Sequence, residues 1–157
     1  MTEKKPEPVV KVICQNRKAF HHYAVDKTFE AGIMLKGAEV KSLRDNSAHL
    51  NDAYVDIKDG VPVLIKAHIP HYKFDTHENL DPERTRVLLL NKREIAKILR
   101  ELKPKGYALV PLKMYFKGSH VKVEIALAKG KKTYDKREDI KKREAKRDMS
   151  RFQKARR

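Results

Sequence analysis

The sequence predicts a mainly β fold, a small closed or nearly closed β-barrel with one or two short helices and a basic C-terminal tail. Three observations predict it. Apolar residues recur with a period of two through most of residues 9–129. Glycine-bearing turn dipeptides separate these runs. Beyond residue 129 apolar residues become sparse and positive charge accumulates.

In chain order, residues 1–8 read as a flexible leader and Val9–Cys14, rich in β-branched residues, as a strand. A short helix is expected over Arg17–Tyr23, with Phe20 and Tyr23 anchoring it. Gly32, Gly37 and Ala38–Arg44 suggest one strongly bent strand. Ala53–Lys58 and Val61–Ala67 alternate around Asp59-Gly60, which suits a type I′ hairpin turn because glycine accepts positive φ. A helix starts after Asn91, where Glu94 completes capping-box spacing. Ile95, Ile98, Leu99 and Leu102 follow at helical intervals, and Lys103-Pro104 ends it. Tyr107–Lys117 and Val121–Leu127 form a second hairpin around Gly118-Ser119, with Val121, Val123, Ile125 and Leu127 facing inward and Lys122, Glu124 and Ala126 outward. Among small barrels of this make-up the oligonucleotide-binding fold fits best.

Charge narrows the function. The 157 residues hold 37 Lys and Arg against 21 Asp and Glu, a net charge of +16, and residues 129–157 alone contribute +9. A polyanionic partner is expected. No apolar run is long enough to span a bilayer and residues 1–8 lack the apolar stretch of a secretory signal, so the expectation is a cytoplasmic protein without a membrane partner. A single cysteine, Cys14, excludes an internal disulfide and reads as a small buried residue.

Catalytic and metal signals are weak. His21 and His22 are adjacent and so diverge on any regular element, while His68, His71 and His77 fall in a loop. Asp52, Asp56 and Asp59 read as solubilising residues rather than as carboxylates converging on two metal ions. No phosphate-binding glycine loop occurs. The expectation is a protein that is not an enzyme and needs neither cofactor nor metal. Asn16–Tyr23 instead mixes cations with flat rings, a combination that binds RNA phosphates and unstacked bases, with Arg17 and His22 as its candidates. Composition alone fits an RNA-binding adaptor and a ribosomal or assembly protein equally well; a nuclease is a distant third.

Longer motifs separate these readings. Asn16-Arg17-Lys18-Ala19, Phe29-Glu30-Ala31-Gly32-Ile33, Gly37-Ala38-Glu39-Val40-Lys41-Ser42-Leu43-Arg44, Leu88-Leu89-Leu90-Asn91, Ala128-Lys129-Gly130-Lys131-Lys132 and Asp135-Lys136-Arg137 together resemble the SmpB (small protein B, SsrA-binding) family, in its order and over nearly the whole chain. The resemblance implies an oligonucleotide-binding barrel that clamps the tRNA-like domain of tmRNA. The complex enters stalled ribosomes for trans-translation, meaning peptide tagging and ribosome rescue. Alanyl-tRNA synthetase charges the RNA and EF-Tu delivers it. Barrel contacts carried over are Glu30, Leu89, Asn91 and Lys122, joined by Lys129, Lys131 and Lys132. From the residues alone, Glu30 sits near a turn at Gly32, Leu89 reads as packing first, Asn91 as a helix cap and Lys122 as a surface cation. Two departures from the family are Phe20, where many relatives carry Arg, and Tyr134, where some carry His.

The resemblance also implies that the tail, residues 130–157, enters the decoding centre and mRNA channel of the small subunit. Tyr134, Asp135, Lys136, Arg137, Lys141, Arg143, Phe152 and Lys154 are its expected ribosome contacts. The tail reads as a conditional helix, disordered when free: Asp135 caps it with Glu138, and Glu138–Lys142 and Asp139–Arg143 are i,i+4 pairs. Ile140, Ala145, Met149 and Phe152 form only a thin apolar stripe, too little to hold the helix by packing.

Overall fold

The structure is a computed structural model that describes residues 6–45, 47–75, 80–103 and 106–156, apart from the side chains of residues 133–135. Part of the expected leader (residues 1–5), together with His77, Pro104 and the side chains of Tyr134 and Asp135, lies outside the described residues.

Among the described residues, seven strands and four helices follow in the order β1 (Val10–Gln15), α1 (Arg17–His22), β2 (Tyr23–Ile33), α2 (Gly37–Arg44), β3 (Tyr54–Lys58), β4 (Val61–Ile65), β5 (Arg86–Leu89), α3 (Lys92–Leu102), β6 (Tyr107–Lys117), β7 (His120–Gly130) and α4 (Thr133–Ala155). All strand pairs are antiparallel. The strand order is β1-β6-β3-β4-β5-β2-β7, and β7 also pairs with β6, so six strands form a hydrogen-bonded circuit with β1 outside it.

Both expected hairpins form. Asp59 (φ 52°) and Gly60 (φ 76°) make the positive-φ pair of a type I′ turn, which brings Lys58 opposite Val61. The second hairpin joins β6 and β7, with Lys117 opposite His120. Inward-facing Val121, Val123, Ile125 and Leu127 enter the main core with Ile13, Leu64, Leu88 and Met114. On the other face Ala126 and Ala128 are buried too, because Ala19 of α1 packs there with Val110, Leu112 and Tyr23. Lys122 and Glu124 remain partly exposed farther along the same strand. Cys14 sits half-buried opposite Met114; burial pushes its thiol up to about 11, partly offset by a hydrogen bond with the Met114 backbone.

Helix α1 forms as expected, with the Asn16 side chain accepting from the Ala19 N–H at 3.3 Å. Its anchor differs: Ala19 is buried whereas Phe20 is about half exposed, so of the two aromatics only Tyr23 packs inward. In α3 the Glu94 carboxylate accepts from the Asn91 N–H at 3.3 Å, and Ile98 is fully buried.

Ala38–Arg44 is not a strand. It forms α2, and its buried residues Glu39, Ser42 and Leu43 fall at helical spacing. The cause is tertiary. Glu39 accepts from Arg84 and from Arg86 Nε at 2.6 Å, and Arg86 further donates to Ala67 O (2.7 Å), Arg84 O (3.1 Å) and Pro82 O (3.0 Å). The Lys36 N–H bonds the same carboxylate at 3.0 Å, and Ser42 donates to Pro70 O at 2.7 Å. This cluster ties α2, the segment before β5 and β5 itself into one unit. β2, which is eleven residues long, and the four-residue β5 are further strands that the alternation did not resolve.

The tail helix also differs in detail. α4 begins at Thr133 with Lys132 at its N-cap position, so Asp135 is a helical residue rather than the cap. The Asp139 carboxylate accepts from Lys131, leaving Lys142 and Arg143 to act on it at longer range.

Burial drives the Glu39 carboxyl upward, but bonds from Arg84, the Lys36 N–H and Arg86 outweigh it and hold the group below its usual range. Its folded value is therefore depressed, so its contribution is full above the unfolded carboxylate value and is lost as pH falls through the folded one. Glu39→Gln is expected to cost about 3 kcal/mol, because it leaves Arg86 buried without a counter-charge. It should also flatten the acid limb of the stability curve. Thermal unfolding across pH 3–7 checks both.

Candidate nucleic-acid interface

The β2 register builds the first site. Gly32 pairs with Leu89 of β5 on one side and with Lys122 of β7 on the other, so Leu89 and Lys122 flank a position without a side chain. Glu30, two residues earlier, shares that face. Asn91 follows Leu89 by two residues at the start of α3. Glu30, Leu89, Asn91 and Lys122 thereby line one open groove of about 670 Å³, bordered by the β3–β4 turn and the first turn of α3. A methyl at Gly32 would lie 3.2 Å from Leu89 Cβ, so glycine sets the depth of the hollow.

Two expectations change at this site. Glu30 lies within a long strand, not at a turn. Leu89 is 55% exposed, so it is not a packing residue; its side chain is an apolar wall of the groove. Glu30 accepts from the Tyr115 hydroxyl and from Lys117 Nζ, at 3.1 Å to Oε1 and 3.4 Å to Oε2. The Tyr115 bond, opposed by partial burial and aided by Lys117 and Lys122, lowers its carboxyl below the usual range. Tyr115 and Lys117 are residues the sequence reading missed. The signal was present in the outward alternation of Lys113, Tyr115 and Lys117 on β6, but the partner strand was not.

A second groove, of about 690 Å³, lies where α1 meets the start of α4. Lys18, His22, Tyr23, Tyr54, Lys131 and Lys136 line it with Asn16, Asn51 and Asp52. Desolvation first, then the charges of Lys136, His21 and Lys18, lower the His22 imidazole below its usual range. Lys131 is the joint: its backbone N–H donates to His22 O at 2.8 Å, while Nζ donates to Phe20 O at 2.8 Å and to Asp139. Arg17, Lys129 and Lys132 are exposed nearby but do not line this groove.

Along α4, Arg137, Lys141, Arg143, Phe152 and Lys154 are exposed, Phe152 by 76%, and Lys136 is partly buried at the joint. Among the described residues no group of three or more His, Cys, Asp or Glu is placed to hold a metal ion, and no helix is long and apolar enough to cross a membrane.

A hollow walled by a cation, an oriented carboxylate, an amide and an exposed leucine, with a cation-covered helical arm, defines a nucleic-acid-binding protein. The family model described as SmpB protein matches residues 13–155, and the chain belongs to that family. It is 52% identical over 140 residues to an SsrA-binding protein of Geobacter sulfurreducens, covering 89% of this chain and 92% of the relative. It is 48% identical to one of Syntrophobacter fumaroxidans, covering 100% and 99%. A solved structure described as "tmRNA-SmpB: a journey to the center of the bacterial ribosome" matches with a TM-score of 0.64 and 42% identity, over 76% of this chain and 84% of that one.

Lys122→Ala is expected to weaken RNA binding and to reduce the salt slope of log affinity by about one, as loss of one phosphate contact requires. Its melting should stay within about 0.5 kcal/mol of the parent, as for a surface substitution away from the core. Equilibrium binding at several salt concentrations, with a melting curve, checks this.

Proposed function

We propose that this chain is a non-catalytic RNA-binding adaptor that holds the tRNA-like domain of a tmRNA and carries it to stalled ribosomes for trans-translation, peptide tagging and ribosome rescue. The observation that carries the reading is the convergence of Glu30, Leu89, Asn91 and Lys122 on one groove, in a chain about half identical to SsrA-binding proteins. In this reading the six-strand circuit is an oligonucleotide-binding-type barrel and the groove is its RNA face. Lys122 neutralises phosphate, Glu30 and Asn91 meet base or ribose donors and acceptors, and Leu89 packs against a base or sugar.

The arm supplies the second contact. Residues 130–157 bind the decoding centre and mRNA channel of the small subunit, becoming fully ordered there. Exposed cations on nearly every face of α4 suit a channel walled by RNA. Arg17, His22, Lys129, Lys131 and Lys132 extend the RNA surface around the joint, with His22 acting by stacking or as a hydrogen-bonding ring. Tyr134, Asp135, Lys136, Arg137, Lys141, Arg143, Phe152 and Lys154 are the proposed ribosome contacts. Alanyl-tRNA synthetase and EF-Tu act with the protein through the shared RNA, in the cytoplasm.

Truncation after Gly130 tests the division of labour. The expected result is tmRNA affinity within a few-fold of the full chain but no peptide tagging on ribosomes stalled in a reconstituted translation system. Tagging that persists without residues 131–157 would overturn the role of the arm.

A further inference from the structure

Glu30 is an acid in a groove proposed to bind a polyanion, so its use depends on presenting acceptor oxygens in a fixed direction. Left to itself, a glutamate on an exposed strand face samples several rotamers. It would also be free to turn toward Lys122, one of the cations that lower its carboxyl. Two groups restrain it. Lys117 is partly exposed and flexible, and it reaches both carboxylate oxygens from the open side. Tyr115 is different: only 5% of it is exposed, its ring is held within the sheet with Lys113 Nζ 5.4 Å from the centroid, and its hydroxyl reaches Glu30 Oε2.

We infer that Tyr115 is a positioning residue for the RNA groove: its buried hydroxyl fixes the Glu30 carboxylate before RNA arrives. The inference rests on the proposed reading of Glu30 as an RNA contact and extends it to a residue that does not line the groove. The register explains how a residue two strands away reaches it. Tyr115 pairs with Lys122, and Lys122 pairs with Gly32, so β6, β7 and β2 bring Tyr115, Lys122 and Glu30 to one outward face. One donor on Oε2 and the shared Lys117 contact leave acceptor capacity on the carboxylate for base-edge N–H groups or a ribose 2′-hydroxyl. A fixed acceptor favours one arrangement of donors, so Tyr115 acts on selectivity as well as on affinity.

The test is a double-mutant cycle on the full chain, with a tRNA-like-domain transcript of tmRNA as probe and melting measured for each variant. Tyr115→Phe keeps the ring and removes only the hydroxyl; it is expected to weaken binding about three- to ten-fold, the cost of ordering a carboxylate that is no longer held in place, while loss of the bond itself shows as a modest fall in melting temperature. Glu30→Ala should weaken binding at least as much. Combining Tyr115→Phe with Glu30→Ala should give no further loss beyond about two-fold, because the hydroxyl has no effect without the carboxylate it orients. Affinity of the parent should fall on acidification only below the usual carboxylate range, and Tyr115→Phe should move that midpoint upward. Parent-like affinity of Tyr115→Phe, or a loss that multiplies on Glu30→Ala, overturns the positioning role and leaves Glu30 as a contact. Parent-like affinity of Glu30→Ala overturns the reading of Glu30 as a contact, and the positioning role with it.

Discussion

Everything in the body depends on β7 bonding to two partners, β2 along one edge and β6 along the other. Without either bond the strands are an open sheet with one more bare edge; with both, six of them close on themselves. Closure makes the inner face of β7 a continuous apolar row and leaves its outer face to be divided. One half, Ala126 and Ala128, is covered by α1. The other half, Lys122 and Glu124, is left open and becomes the groove wall and its surroundings. The groove thus opens where α1 leaves β7 uncovered, and β2, β5 and the start of α3 supply its other walls.

The chain is strongly cationic, yet acids tie its parts together, Glu101 of α3 to Lys27 of β2 among them. Glu39 ties α2 to β5 through two arginines, Glu30 links β2 to β6, and Asp139 links the tail helix to the end of β7 through Lys131. These links differ in kind. Glu39 and Arg86 are almost fully buried, so breaking one partner leaves a bare charge in the core. Lys131–Asp139 is partly open to water and therefore gives way more easily, which suits a joint between a fixed body and an arm.

The hairpins, α1, α3 and the gathering of charge in the tail were legible in the sequence because local chemistry specifies them: a Gly at positive φ, a side-chain cap, a helical apolar stripe. The four groove residues were legible only through the family motifs, since their convergence depends on the pairing of β2 with β5 and β7. α2 was read as a strand because Gly37–Arg44 lacks a broad apolar stripe, and its helical form rests on Arg84 and Arg86, more than forty residues away. β2 escaped because its first half is exposed and a register shift between Val25 and Lys27 breaks its alternation. Helical spacing pairs Asp139 with Arg143, whereas its bond goes to Lys131, before the helix begins. Tyr115 was invisible for a related reason: a lone tyrosine in a strand announces its ring, not the hydroxyl's partner two strands away.

Cys14 has a practical consequence. Half-buried in β1 with its thiol raised to about 11, it is far less ionised at neutral pH than an ordinary surface cysteine. A second cysteine introduced on the exposed face of α4 would therefore react with a maleimide dye well before the native one. The wild-type background is already suited to site-selective labelling, and with one cysteine introduced on the body and one on α4 the motion of the arm becomes measurable by energy transfer while Cys14 stays in place.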